Sequence, residues 1–184
     1  MTKIDMTRPT LGSTSWVLVF LSAAISGGVL LQELPVATAA TLIVCVAGLA
    51  VLAAWDIRTH RLPNVATVTL SVAGLAAAGV LLVAGQTASM WPALAGFAGF
   101  AALGFVEALP RDSLGGGDAK LLAAVGAWTG MLGWSALLPT LLCTHVVMLA
   151  ALIVGRARGR GRVVMGPAIA AGTVVSWVLV GLAA

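Results

Sequence analysis

The sequence predicts an all-α membrane bundle of about seven helices, with six as the alternative. Three observations lead there. Of 184 residues, 60% are apolar and only 9% charged, against about a quarter charged in a soluble domain. The apolar residues fall into stretches close to the length of a bilayer crossing, roughly 17–25 residues. Laid across a membrane in alternation, those stretches gather every basic residue on one side. A water-soluble fold of this size cannot hide so much apolar surface. In hydrocarbon the backbone must satisfy itself, which a helix does within one segment.

The stretches are residues 16–31, 36–55, 65–84, 91–109, 121–132, 136–154 and 163–182. The first lengthens if residues 11–15 are counted. Its apolar run continues where a signal-peptide cleavage site would fall, so it reads as an ordinary first span or signal anchor. Trp16, Trp55 and Trp91 stand at span ends, where aromatic anchors belong. The fifth stretch is short, and charge decides its reading. With seven crossings, one side receives the N-terminus and the loops at 56–64, 110–120 and 155–162. That side then carries Lys3, Arg8, Arg58, Arg61, Arg111, Lys120, Arg156, Arg158, Arg160 and Arg162, all ten basic residues of the chain. The opposite side carries only Glu33. If residues 121–154 crossed once, the arginine loop would change sides. The positive-inside rule thus predicts seven spans with a cytoplasmic N-terminus. The net charge of +4 reports topology and lipid contact, not nucleic-acid binding. No repeat or long linker interrupts residues 1–184, which read as one membrane domain. Cys45 and Cys143 lie inside apolar runs and read as buried thiols, not as a disulfide or metal site.

The acids are Asp5, Glu33, Asp56, Glu107, Asp112 and Asp118. Asp56 closes the second stretch, ahead of Arg61-Leu62-Pro63-Asn64. Asp118 opens the fifth, in Gly115-Gly116-Gly117-Asp118-Ala119-Lys120-Leu121. Far apart in sequence, both fall at the cytoplasmic boundary. Two carboxyl groups brought close cannot easily both ionise, so one retains a proton. The ionised partner can then activate a water while the protonated one polarises a carbonyl, which is aspartic-protease chemistry without metal, cofactor or side-chain nucleophile. The glycines before Asp118 permit close backbone approach. Spacing alone equally allows a glycine loop with a helix cap at Asp118, and an interfacial ion pair of Asp56 with Arg58.

Three segments together resemble the type IV prepilin peptidases. Asp56 with Arg61-Leu62-Pro63-Asn64 resembles that family's first motif. Gly115-Gly116-Gly117-Asp118-Ala119-Lys120 resembles its Gly-x-Gly-Asp-x-Lys motif. Met165-Gly166-Pro167-Ala168 resembles the Gly-Pro segment opening its last helix. The resemblance covers residues 36–184 and leaves 1–35 outside the matched core. It implies a membrane aspartic protease that clips the leader from prepilins or pseudopilins on the cytoplasmic side of the bacterial inner membrane. Asp56 and Asp118 then match the catalytic pair. Gly115, Gly116, Gly117, Lys120, Pro63, Asn64, Gly166 and Pro167 fall at substrate-binding or positioning places. No cofactor or metal is implied.

Larger family members carry an extra domain between their first two helices, often with a Cys-x-x-Cys pair. Here residues 32–35 alone join the first two stretches, and no Cys-x-x-Cys occurs. The chain therefore resembles the compact members tied to Flp-type or Tad-type pili, and N-methyltransferase activity is not expected. Glu107 is an acid near a span end, reaching water or Arg111. His145 reads as a packed histidine bonded across helices, His60 as a surface residue. Two further classes compete: a small membrane transporter, and a non-catalytic secretion or pilus assembly subunit. A relay would place acids near the bilayer midplane, and an assembly subunit needs no paired aspartates.

Overall fold

The computed structural model describes residues 36–83, 85, 89–109, 115–159 and 163–183. The stretch at 16–31, the 32–35 connector, Arg111 and Asp112, and Arg160 with Arg162 lie outside the described residues. Among those described, the chain is all-helical: α1 (Val36–Thr59), α2 (Asn64–Val83), α3 (Met90–Ala108), α4 (Gly116–Gly130), α5 (Trp134–Ala157) and α6 (Gly166–Ala183). Four of them, α1, α2, α3 and α5, are long and apolar enough to cross a membrane. Their outward faces carry large apolar side chains such as Ile43, Val72, Phe105, Leu142 and Ile153, all exposed. That surface suits hydrocarbon and not water.

The shortest helix, α4, is the centre of the bundle. Leu121 to Met131 are buried without a break, so α4 has no face for lipid. It can sit there because its neighbours are cut back. α3 runs antiparallel to α4 and packs on it more extensively than any other pair of helices does. A Cβ on Gly126 would strike the Gly96 carbonyl, and one on Gly130 would strike Pro92. Lipid supplies no hydrophobic drive between helices, so close backbone approach at small residues is what holds them together. On its other side α4 is tied to α2, where Trp128 Nε1–H donates to the Leu70 carbonyl at 2.9 Å.

α5 and α6 form a second pair, with Gly172 against the Thr144 backbone and Thr140 Oγ1 3.0 Å from Ser176 Oγ. A bond crosses from this pair to the centre: Trp177 Nε1–H donates to Thr129 Oγ1, 3.0 Å. α1 lies against α6 more than against α2. Two tight turns set the helix order. Between α1 and α2, His60 takes a left-handed conformation (φ 53°), and its N–H caps the Asp56 carbonyl at 2.8 Å. Between α4 and α5, Gly133 (φ 105°) occupies a backbone region that side chains avoid. Cys45 is buried and Cys143 half-buried, and both are free thiols.

Candidate active site at one end of the bundle

Asp56 sits one turn from the end of α1 and is only 5% exposed. Its carboxylate accepts the Gly166 N–H through Oδ2 at 2.9 Å. The first N–H groups of a helix have no partner within it, so α6 offers an unmet donor where Asp56 brings an acceptor. The fit requires glycine: a Cβ at position 166 would stand 2.7 Å from Oδ2 and 3.2 Å from the Asp56 Cβ. Pro167 follows in the first turn of α6. Proline is at home there, because its missing N–H would be unpaired anyway.

Asp118 is half-buried in the first turn of α4. Its Oδ2 lies 3.3 Å from the Gly115 N–H, and its own N–H donates to the Gly115 carbonyl at 2.9 Å. This is a reciprocal cap, with Gly115 in extended conformation just before the helix. Gly117 packs on Leu62, whose Cβ would lie 2.9 Å from a Cβ added there. Lys120 Nζ donates to Asn64 Oδ1 at 2.8 Å. The α1–α2 turn and the start of α4 are therefore in contact.

Register brings the rest together. Asp118 precedes Thr129 by eleven residues on α4, and Gly166 precedes Trp177 by eleven on α6. The Trp177–Thr129 bond thus puts both helix starts about 16 Å further along the bundle, at matching height. Asp118 rides on the first start, and the second holds Asp56. The same end carries Arg58, Arg61, Lys120, Arg156 and Arg158, while the opposite end has no Lys or Arg among the described residues.

A model of the type IV leader peptidase family matches residues 42–155, well over half of the chain. The chain belongs to the type IV leader peptidase family. Two relatives from Burkholderia pseudomallei, strains 1026b and K96243, each named prepilin leader peptidase/N-methyltransferase, are 33% identical over 171 residues. That alignment covers 90% of this chain and 54% of the relative. Leader peptidase HopD of Salmonella typhimurium is 38% identical over 76 residues, 40% of this chain and 49% of that one. The chain thus spans about half the length of the curated relatives it matches. No solved structure matches it.

The family match takes in Asp56 and Asp118 but stops before Gly166. The structure joins that third segment to the first through the Asp56–Gly166 bond. Of the other residues singled out from sequence, Pro63 and Asn64 lie at the α1–α2 turn, Gly115, Gly116, Gly117 and Lys120 at the α4 start, and Gly166 and Pro167 at the α6 start. His60 is exposed. His145 is bonded across helices, to Glu107. Two residues that position these elements escaped the sequence reading, Trp128 and Trp177. Both tryptophans lie inside apolar stretches, where an indole N–H needs a partner. That was the available signal.

Proposed function

We propose that the protein is a membrane aspartic endopeptidase that removes the cytoplasmic leader of type IV prepilins or pseudopilins, of the Flp or Tad type. It would work from the bacterial inner membrane, crossing it seven times with a cytoplasmic N-terminus. Asp56 and Asp118 are the catalytic pair. The observation that carries the reading is the meeting of three family segments at one basic end of the bundle, with Asp56 bonded to Gly166. The substrate is a single-span membrane protein whose basic leader joins its apolar helix at the headgroup boundary.

In this mechanism one aspartate is ionised and takes a proton from water as the water oxygen attacks the scissile carbonyl. The other, protonated, donates to the carbonyl oxygen. Collapse of the tetrahedral intermediate breaks the C–N bond, and the leaving amine takes a proton from the pair. Holding Asp56 against the Gly166 N–H fixes its orientation before substrate arrives. Gly115, extended, and Gly116 and Gly117 in the first turn of α4 offer the main-chain groups of a helix start to the substrate. Lys120 and Asn64, bonded to each other, set the α4 start against the α1–α2 turn. Methylation of the product is not part of the proposal, although the Burkholderia relatives carry it in their names.

Co-expression with an Flp-type prepilin, followed by gel shift and N-terminal sequencing, tests the reading. Wild type removes the leader. Asp56→Asn and Asp118→Asn insert normally and leave it uncut, with activity down at least about a thousandfold. Cleavage by either variant at the wild-type rate removes that aspartate from the mechanism. The transporter and assembly-subunit readings predict no cleavage by any form.

A further inference from the structure

Glu107 of α3 and His145 of α5 form an ion pair, Oε1 to Nε2 at 2.9 Å. The other imidazole nitrogen, Nδ1, lies 2.7 Å from the Leu141 carbonyl. A carbonyl oxygen only accepts, so Nδ1 carries a hydrogen. One further proton then lies between Nε2 and Oε1. The pair is either imidazolium with carboxylate or imidazole with carboxylic acid. Both states keep the hydrogen bond and have zero net charge, which suits two side chains each about 30% exposed on helices that cross lipid.

The position of the pair matters more than its chemistry. α3 is fastened to α4, which carries Asp118. α5 is fastened to α6, whose first N–H holds Asp56. Yet α3 touches α5 far less than it touches α4. Each half of the candidate site thus rides on its own helix pair, and little apolar packing joins α3 to α5. We propose that Glu107 and His145 are a proton-sharing clasp that sets the spacing of the two helix pairs, and through it the spacing of the two aspartates. They are positioning residues, acting through α4 and α6. The Trp177–Thr129 bond fixes the same two units deeper in the bundle. The clasp fixes them nearer the site.

The catalytic consequence rests on the peptidase reading, but the spacing does not, so the two are measured separately. Spin labels at Leu109→Cys and Arg158→Cys, at the exposed ends of α3 and α5, report the spacing by pulsed dipolar spectroscopy. The protein is reconstituted in nanodiscs with Cys45 and Cys143 replaced by alanine. E107A and H145A, which approach the clasp from either side, broaden the distance distribution and shift it outward. E107Q leaves it narrow, because an amide N–H can donate to the Nε2 lone pair that the Leu141 contact leaves as acceptor. A narrow distribution in both alanine variants, or a broad one in E107Q, overturns the proposal. In the cleavage assay E107A lowers kcat about tenfold with KM within about twofold, and E107Q stays within about twofold of wild type. Distances that respond while cleavage is absent in every form, wild type included, would sink the peptidase reading and leave the clasp standing.

Discussion

Gly166 shows how one hydrogen atom in place of a methyl group decides a site. Asp56 is a short side chain on a packed helix, buried to 5% exposure, so it has little room to step back. A methyl at position 166 would stand 2.7 Å from Oδ2, well inside contact distance. It would push away the carboxylate that the Gly166 N–H holds at 2.9 Å. The variant Gly166→Ala should therefore lose at least about tenfold in kcat/KM by misplacing Asp56. Its stability should fall by about 1.5–3 kcal/mol, the cost of one charge-assisted hydrogen bond. Gly79→Ala, where an added Cβ meets nothing within 4 Å, is the control. If Gly166→Ala cleaves prepilin like Gly79→Ala, the Asp56–Gly166 bond has no part in the chemistry. The sequence could name Gly166 as a motif residue, but not the atom that needs it small, because that atom lies 110 residues away.

At the level of helices, hydrophobic runs located α1 to α6 to within a few residues but said little about rank. The stretch at 121–132 was doubtful because it was short, and its helix proves to be the enclosed centre. Shortness and enclosure have one cause. A helix surrounded by others needs no lipid-facing surface, and it needs small residues where neighbours press closest. The pattern of Gly96, Gly104, Gly126 and Gly130 was in the sequence, yet a glycine in a membrane helix does not say which partner it meets. A substitution pair separates the cases. Gly126→Ala drives a methyl into the Gly96 carbonyl, forcing α3 and α4 apart at about 2–3 kcal/mol and lowering the midpoint of thermal unfolding in micelles. Gly99→Ala, on the exposed side of the same α3 with nothing within 4 Å, should be neutral or slightly stabilising, since alanine favours a helix by up to about 1 kcal/mol. Equal losses from both would mean that backbone contact between α3 and α4 is not what fastens the centre.

Across the whole molecule, the described basic residues gather at one end of the fold. The helices alternate in direction, as the antiparallel contacts of α3 with α4 and of α5 with α6 require. Arg58, Arg61, Lys120, Arg156 and Arg158 all fall at the end where Asp56 and Asp118 lie. A basic end resists transfer across the membrane. Under the peptidase proposal a basic substrate leader stays on that same side, so the proposed site and the insertion rule agree. The transporter reading fits less well: the described acids stand near one edge of the bundle, not strung through its middle as an ion path requires. The orientation can be read directly. In a cysteine-free background, single cysteines at exposed Arg58 and Arg158 mark one end, and Gly85 and Ser135, also exposed, mark the other. A membrane-impermeant maleimide added to intact cells should label Gly85→Cys and Ser135→Cys only. Labelling of Arg58→Cys and Arg158→Cys should appear once the inner face is opened. The reverse pattern would put the two aspartates outside the cell, away from any cytoplasmic leader, and the peptidase proposal would fall with it. A mixed pattern at Arg58 and Arg158 would break the alternation between them, and with it the seven-span count.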